Sequence, residues 1–475
     1  MIWQKLENSW AKKPPEVLWP TQSSTASLQS GDSVVIVGGG IAGSSMARYL
    51  LMLSKLQQKE LHIYLINSTN CNYCGGLVTN IALDTLTTHY NLKVDPSLIL
   101  SHIGECVYVN PEGSINVKVN TPLISTLRTS KFGLMGFDDA IKENITLEME
   151  DMAHLLTIIE PTIVKDITAI TETRATEFGD RDLKWEVTLS RKENGENIRI
   201  KSNTLVLANG LRGLTKPLLD NFSKITNYQP PGLMEASVTE IDTTHARFNK
   251  LRKKIFILDG IIDDCIIALV CKGKHWVTVT SLNKRLTFND IDQIFAHPQL
   301  KKHIDLPNPT IHLRCGIICG AKVFINGARN FYGDNWVAIG DLTGHGRVLK
   351  DGYFAALVAA KYAAETMICH GTSSQDFKRH YYQPLKKQTA SGNSIGMLLF
   401  WLNLKLVRYK WFNKMMFKAG VEEQNKHKSG GAVHTGIRAL TTGELNYFLI
   451  SLLFMAGLTT HLFTWPFKKL FAKKE

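Results

Sequence analysis

Cysteine is scarce in this sequence, which has eight among 475 residues, at irregular spacings. The first thirty residues lack the apolar run of roughly 7–15 residues that a secretory signal needs. We therefore expect no disulfide framework, and we expect a reducing compartment. No internal repeat with a period of roughly 20–50 residues is visible.

Acidic residues are fewer than basic ones, with 42 Asp and Glu against 55 Lys and Arg, which gives a formal net charge of +13. A content of 44% hydrophobic and 20% charged residues excludes a disordered, collagen-like or coiled-coil chain. At roughly 100–200 residues per domain, the length allows about two to four domains, or one large cofactor fold with an inserted substrate layer. The positive charge is compatible with nucleic acid, an anionic membrane surface or a merely solvated basic face.

A glycine-rich turn lies between a predicted strand and a predicted helix. The strand, Ser33 to Val37, is apolar and β-branched, and Gly38-Gly39-Gly40-Ile41-Ala42-Gly43 follows it directly, ahead of a helical stretch. In such a turn Gly38 allows the tight bend, Gly40 lets the backbone approach a pyrophosphate, and Gly43 permits close packing of helix on strand. The context predicts a dinucleotide site.

The strand after this helix departs from the usual pattern. It runs from Leu61 to Ile66 and ends in Asn67, where dinucleotide-binding folds usually have Asp or Glu to bind a ribose. An amide can still hydrogen-bond a ribose hydroxyl, although without charge.

A second motif follows about 300 residues later. Trp336 to Ile339 is a predicted buried strand that ends in Gly340-Asp341, and an Ala-rich helix is predicted from Gly352 to Met367. A carboxylate at a strand end beside a glycine turn is placed to bond a sugar or a polyol chain. Between the two motifs, the segment from about 236 to 282 predicts an antiparallel sheet distinct from the parallel one.

The two motifs together resemble flavoproteins of the p-hydroxybenzoate hydroxylase structural class. Within that class the sequence is most similar to the geranylgeranyl reductase family, whose signature is matched by Cys74-Gly75-Gly76-Leu77. The resemblance covers roughly Ser33 to Cys369 and is strongest at its two ends. It implies an FAD-dependent oxidoreductase.

The resemblance also implies roles for individual residues. Pyrophosphate would lie on the early glycines, the ribose on Asn67 and the ribityl chain on Asp341, while Arg128 resembles the flavin-contacting arginine and Lys131 competes for that role. The complete set of cofactor-binding residues predicted in this way is Gly38, Gly39, Gly40, Ala42, Gly43, Asn67, Arg128, Gly340, Asp341 and Gly352.

The loop after Asp341 differs from the family. The family pattern Asn-Pro-x-x-Gly-x-Gly-Ile is replaced here by residues 346–353, Gly-Arg-Val-Leu-Lys-Asp-Gly-Tyr. Gly352 can still open the helix, whereas Arg347 and Lys350 would bring positive charge close to the flavin.

Two residues are candidates for catalysis. Cys71 and Cys74 could form a redox pair, could contribute to a zinc site with Cys315 and Cys319, or could be inert, but the resemblance favours a single thiol, Cys74, beside the isoalloxazine ring, and we predict no metal. His345, four residues after Asp341, could face the flavin as a proton donor, or could be structural.

The last 80 residues carry twelve Lys and Arg against four acids, which accounts for +8 of the net charge. In residues 396–417 basic side chains alternate with Leu, Phe and Trp, and residues 447–465 contain no Asp, Glu, Lys or Arg. Trp401, Trp411 and Trp465 could serve as interfacial anchors. This pattern predicts a membrane-associating region, peripheral or tail-anchored, rather than a nucleic-acid site, although a buried core helix is the alternative for 447–465.

The predicted fold is α/β: a Rossmann-like FAD-binding domain with an inserted antiparallel-sheet substrate domain and a C-terminal helical region. The predicted boundaries are a polar extension (1–30), a discontinuous FAD domain (31–93, 120–235 and 320–370), a substrate domain (94–119 and 236–319) and the helical region (371–475). We expect reduction of a carbon–carbon double bond in an isoprenoid or other lipid-like substrate, on the cytoplasmic side of a membrane. NAD(P)H, a ferredoxin or a quinone would supply the electrons. A flavin monooxygenase, a quinone-linked dehydrogenase or a non-enzymatic membrane scaffold are the alternatives.

Overall fold

The computed structural model describes residues 27–68, 76–119, 124–128, 136–247, 253–273, 275–347, 352–390, 392–427 and 431–471. The strands within these ranges are β1 (Ser33–Val37), β2 (His62–Ile66), β3 (Leu77–Thr79), β4 (Ile99–His102), β5 (Glu105–Asn110), β6 (Gly113–Lys118), β7 (Ile124–Leu127), β8 (Leu156–Ile159), β9 (Thr162–Thr176), β10 (Gly179–Arg191), β11 (Asn197–Ser202), β12 (Thr204–Leu207), β13 (Leu233–Asp242), β14 (Lys254–Asp259), β15 (Ile266–Lys272), β16 (Trp276–Leu282), β17 (Cys319–Phe324), β18 (Tyr332–Gly333) and β19 (Trp336–Ala338).

The α-helices in the same ranges are α1 (Ile41–Leu56), α2 (Asn80–His89), α3 (Phe137–Glu148), α4 (Gly210–Gly213), α5 (Lys216–Thr226), α6 (Phe288–Ala296), α7 (Pro298–Lys301), α8 (Gly352–Glu365), α9 (Ser374–Asp376), α10 (Gln383–Thr389), α11 (Asn393–Leu406), α12 (Lys410–His427), α13 (Ala432–Thr442) and α14 (Tyr447–Phe471). Two π-helical segments, Thr366–His370 and Phe377–Tyr382, connect α8 to α10 on either side of α9.

A six-stranded sheet carries both sequence motifs. Its order is β18-β19-β12-β1-β2-β8, and every pair except β18–β19 is parallel. The apolar run of β1 is buried throughout, as a strand covered on both faces requires. Helix α1 packs against α8 on this sheet. Because the strands are parallel, their carboxyl ends meet at one edge, where open α/β sheets bind ligands.

A seven-stranded sheet forms the second layer, in the order β17-β13-β16-β15-β14-β5-β6. Strands β5 and β6 form a hairpin that turns where Asn110 pairs with Gly113. The pair β14–β5 is parallel and joins this early hairpin to the later strands. Strand β17 also belongs to this sheet, although the sequence assigned 320–370 to the FAD domain.

Two smaller sheets complete the described β-structure. Strands β11, β10 and β9 form an antiparallel sheet. Strands β3, β7 and β4 form the other, so that the residues after the Cys-Gly-Gly signature pair with those before Arg128.

The C-terminal helices are part of the packed structure. One face of the seven-stranded sheet packs on α6 and α7, and the opposite face packs on the C-terminal helices through a cluster that includes Val117, Val270, Phe412, Met416 and Ile437. Burying large apolar side chains of this kind contributes about 1.5–3 kcal/mol each. The region predicted to be helical is therefore helical, and much of it packs on the seven-stranded sheet.

None of the described helices combines the length and the apolar character that a membrane crossing requires. Apolar side chains do remain exposed on α11, α14 and the turn into α12. We call this set the C-terminal apolar face: Leu398, Trp401, Leu402, Tyr409, Trp411, Phe448, Leu452 and Met455.

Candidate functional site

The glycine-rich turn is built so tightly that side chains are excluded from two of its positions. Gly38 has φ +116°, and a Cβ there would lie 2.5 Å from the carbonyl oxygen of Ala208 on the neighbouring strand. A Cβ on Gly43 would overlap the carbonyl oxygen of Gly38. These close approaches explain the glycines that the sequence singled out, one for the turn and one for helix packing.

Gly40 differs because, within the described part of the chain, no atom lies within 4 Å of the position that its Cβ would occupy. It is the N-cap of α1, and it has an ordinary extended backbone. The space in front of it is therefore open, while the first-turn N–H groups of the helix face the same end. No acidic residue occurs in that first turn, so the helix N-terminus is available to an anion.

The late motif meets the early one at this edge of the sheet. Val37, Leu207 and Ala338 end adjacent parallel strands. Gly340 follows with φ +65°, and a Cβ on it would lie 2.9 Å from Cβ of Ala42 in α1. Segments about 300 residues apart in the chain are thus in direct contact.

Asp341 lies in the short 3₁₀ turn Gly340–Thr343, and Gly352 begins α8 as predicted. The Asp341 side chain is solvent-accessible, and its carboxylate makes no hydrogen bond or ion pair with the described residues. It is nevertheless surrounded by enough protein that desolvation raises the pKa of Asp341. An unpaired carboxylate beside an open glycine turn is suited to accept hydrogen bonds from the hydroxyl groups of a ligand.

Asn67 lies between the glycine turn and a residue that the sequence did not suggest. A Cβ on Gly39 would be 2.7 Å from the Asn67 side chain. On its other side, Nδ2 of Asn67 donates a 2.6 Å hydrogen bond to Oε2 of Glu160. Glu160 directly follows β8, which pairs with β2, so both side chains stand at the carboxyl edge of the sheet.

The Cys-Gly-Gly signature and Arg128 converge through the pairing of β3 with β7. Cys74, Lys131 and Lys350 lie outside the described residues, but Gly76 has φ +70° and its carbonyl oxygen accepts a hydrogen bond from the backbone N–H of Leu127. Arg128 follows, and its side chain donates to the carbonyl oxygen of Ser97 over 3.1 Å. The structure therefore places Arg128 next to the signature.

A buried cluster of charged side chains that the sequence did not predict lies next to Gly76. Nζ of Lys272 would be 3.1 Å from a Cβ on Gly76, and it donates a 3.0 Å hydrogen bond to Glu240. Glu240 also pairs with Arg314 over 3.3 Å, and that guanidinium lies 3.6 Å from the ring centre of Trp276. The strands that bring these residues together are separated along the chain, so no local pattern could reveal the group.

His345 lies in an aromatic cluster. Its imidazole is 4.9 Å from the ring of Phe331 and 5.5 Å from that of Tyr382, measured between centroids. Burial, with a smaller contribution from Lys386, lowers the pKa of His345 to about 4. The ring is therefore neutral near pH 7. These contacts come from the residue before β18 and from the second π-helical segment rather than from the glycine turn. They favour the structural interpretation, and a catalytic role stays a prediction.

Arg347 does not stand free beside the cofactor site as the altered loop suggested. It is buried, and its Nη1 donates to the carbonyl oxygens of Gly443 and Leu445 beyond the end of α13. Its guanidinium also lies 4.5 Å from the ring centre of Tyr447. The positive charge is therefore engaged with the C-terminal helices.

The described residues fit a dinucleotide of the FAD type. The open space at Gly40 suits a pyrophosphate, and the unpaired Asp341 carboxylate beside it suits a polyol chain. The accessible side chains at Asn67 and Glu160 lie where parallel sheets of this kind receive the ribose.

Comparison with known proteins identifies the fold. A scan against protein-family models finds no match, and a search of curated protein sequences finds none either. Among solved structures, a geranylgeranyl bacteriochlorophyll reductase-like protein from Thermoplasma acidophilum is 15% identical, with a TM-score of 0.56, over 82% of this chain and 91% of that chain.

Two further structures have other activities in their names. The myxobacterial chondrochloren halogenase, described as an FAD-dependent halogenase, is 12% identical with a TM-score of 0.56, over 87% of this chain and 97% of that chain. The p-nitrophenol 4-monooxygenase of Pseudomonas putida is 10% identical with a TM-score of 0.52, over 91% and 99%. This chain therefore shares the fold of these three proteins, and the predicted α/β architecture with a Rossmann-like parallel sheet is confirmed.

Proposed function

We propose that this protein is an FAD-dependent oxidoreductase that acts at a membrane surface on a lipid-like substrate and reduces a carbon–carbon double bond in it. The observation that supports FAD as the cofactor is the contact between Gly340 and Ala42. It brings the Asp341 carboxylate, which has no partner among the described residues, to the open end of the glycine turn. Neither motif alone would bind both the phosphates and the polyol chain of a flavin dinucleotide.

The residues of this chain would bind and orient the cofactor. Backbone N–H groups at the start of α1 would bind the pyrophosphate, and Asp341 would accept hydrogen bonds from the ribityl hydroxyls. When bound, FAD would supply hydride transfer, and the protein would supply orientation, dryness and electrostatics. Lys272 and Glu240, buried under the Cys-Gly-Gly signature, would provide a fixed charge pair on the substrate side. Cys74 remains the predicted thiol of the site.

The C-terminal apolar face supports a membrane partner. Trp401 is 40% exposed and Trp411 is 59% exposed, and Lys405 and Lys410 are exposed close to them in sequence. Exposed aromatic side chains flanked by lysines suit the interface of an anionic bilayer, where each basic residue adds about 1 kcal/mol. With no crossing helix in the described residues, we propose peripheral attachment.

A lipid-like substrate would follow from this location. Helices α12 and α13 pack on the sheet, and residues beyond α13 contact Arg347 in the loop after Asp341. The C-terminal region thus connects the proposed membrane surface with the proposed flavin site. The sequence resemblance to geranylgeranyl reductases, and the likeness to the reductase-like structure, favour reduction of an isoprenoid double bond.

The test is product analysis with purified protein reconstituted with FAD. The reduced enzyme is incubated without oxygen with a geranylgeranyl lipid in vesicles, and the lipid is analysed by mass spectrometry. A product that has gained hydrogen supports the proposal. The alternative is monooxygenation, and the structural likeness to p-nitrophenol 4-monooxygenase supports it. A product that has gained oxygen in air would establish that alternative and overturn the reductase proposal.

A further inference from the structure

The carboxyl edge of the six-stranded sheet contains a carboxylate that no sequence motif identifies. In dinucleotide folds of this type, an acid at the end of the second strand hydrogen-bonds the ribose hydroxyls. Here that strand ends in Asn67, which has no charge. The next strand, β8, ends in Glu160, and the parallel pairing of Ile66 with Ile159 puts the two residues side by side.

Glu160 is held in place by two donors. Its Oε2 accepts from Nδ2 of Asn67 at 2.6 Å and from Nζ of Lys142 at 3.3 Å. Lys142 is largely buried in α3 and also pairs with Asp139 at 3.0 Å. Burial lowers the pKa of Lys142, but the hydrogen bonds and charges of Asp139 and Glu160 outweigh it and raise the pKa overall. The lysine is therefore charged, and its ammonium group lies against the Glu160 carboxylate.

The remaining acceptors face outward. The other carboxylate oxygen, Oε1 of Glu160, has no hydrogen-bond partner among the described residues, and 36% of that side chain is exposed. Asn67 is half-buried, and its Oδ1 is likewise without a donor in the described part of the chain. Two acceptor oxygens on adjacent strand ends match the two donors of a vicinal diol.

We infer that Glu160, held by Asn67 and Lys142, supplies the carboxylate that binds the 2′,3′-diol of the adenosine ribose. The acid stands at the end of β8 rather than at the end of β2. Asn67, at the end of β2, positions this acid and also offers a second acceptor oxygen. This inference rests on the proposed function, because it concerns the adenosine half of FAD. The same carboxylate would repel a ribose 2′-phosphate.

The experiment titrates the apo-protein with FAD and, separately, with FMN, which lacks the adenosine, while flavin fluorescence is followed. Glu160→Gln removes the charge with little change in shape. We expect its Kd for FAD to rise about tenfold and its Kd for FMN to stay as in the wild type. Glu143→Gln, at an exposed acid on the same helix as Lys142, is the matched control and should change neither.

A rescue variant separates binding from folding. Asn67→Asp combined with Glu160→Gln returns the acid to the end of β2, and it should recover most of the FAD affinity. A wild-type Kd for FAD in Glu160→Gln would overturn the inference, and so would an equal loss for FAD and FMN. If the wild type itself binds no FAD, the proposed function fails instead, so the two failures are distinguishable.

Discussion

The guanidinium of Arg347 ties the loop after Asp341 to the C-terminal helices: its Nη1 donates to the carbonyl oxygens of Gly443 and Leu445 over 2.7 and 2.6 Å. A Cβ on Gly443 would in turn lie 4.0 Å from the methyl group of Thr79, the N-cap of α2 just beyond the Cys-Gly-Gly signature. Three segments distant in sequence thus meet beside the candidate flavin site.

Removing this guanidinium should loosen the C-terminal region. Arg347→Ala leaves two buried carbonyl groups without their donor, which costs roughly 1–3 kcal/mol for each unsatisfied group. We expect a lower free energy of unfolding and faster proteolysis within residues 431–471. Arg408→Ala, which breaks an exposed ion pair with Asp264, should change stability by less than about 1 kcal/mol. Equal protease sensitivity of the two variants would contradict the role of Arg347.

Two glycines of the turn should respond differently to the same substitution. A methyl group on Gly43 would overlap the Gly38 carbonyl oxygen, so Gly43→Ala should unfold the domain or destabilise it by several kcal/mol. Gly40→Ala meets open space and should keep the wild-type melting temperature, yet its methyl group would enter the space proposed for the pyrophosphate. We expect it to weaken FAD binding at least about tenfold, which corresponds to about 1.4 kcal/mol. Unchanged FAD affinity in folded Gly40→Ala would argue against that location.

Asp341 should lower the stability of the apo-protein and raise its affinity for FAD. Desolvation raises the pKa of Asp341 in the folded state, so this carboxyl group ionises more readily in the unfolded chain. Folding stability therefore falls as the pH rises from the pKa of the unfolded chain through that of the folded protein. At neutral pH the charged Asp341 therefore destabilises the apo-protein. Asp341→Asn should raise the melting temperature of the apo-protein and lower its affinity for FAD. A variant that retains FAD as well as the wild type would refute the assigned contact with the ribityl chain.

His345 should contribute a pH-dependent term to stability. Its pKa is about 4 when folded, against 6.5 for a solvent-exposed histidine, so the unfolded chain binds more protons between these values. The free energy of unfolding therefore has its full value, as far as His345 is concerned, above about pH 6.5. It falls by about 3 kcal/mol as the pH drops towards 4. His345→Gln should lose this part of the dependence, as measured by denaturant unfolding at several pH values, whereas His62→Gln on β2 should keep it. Identical pH slopes for wild type and His345→Gln would contradict the buried, neutral imidazole.

The C-terminal apolar face should govern attachment to vesicles. Replacing both Trp401 and Trp411 by Ala should reduce flotation with anionic vesicles by about tenfold or more. Phe288 and Ile311, which are 51% and 74% exposed away from this face, provide a control double variant with alanine. If both double variants float like the wild type, the face is not the attachment surface.

The early and late motifs were predictable because their chemistry is local. Gly38 has a positive φ in the turn, Gly43 approaches the Gly38 carbonyl within the same strand–turn–helix unit, and Asp341 follows a buried strand. Glu160 was not predictable, since only the β2–β8 pairing brings it to Asn67. The Lys272–Glu240 pair and the Arg347 contacts likewise depend on tertiary packing. The basic, apolar C-terminal sequence indicated a membrane, but its periodicity did not reveal that one side of α12 and α13 is buried on the sheet.

The central claim is that this fold binds FAD, and equilibrium titration of the apo-protein with FAD tests it most directly. The account predicts saturable binding of one FAD per chain, with the bound flavin released intact on denaturation, and weaker binding in Asp341→Asn. A folded wild-type protein that binds no FAD under these conditions would contradict the account.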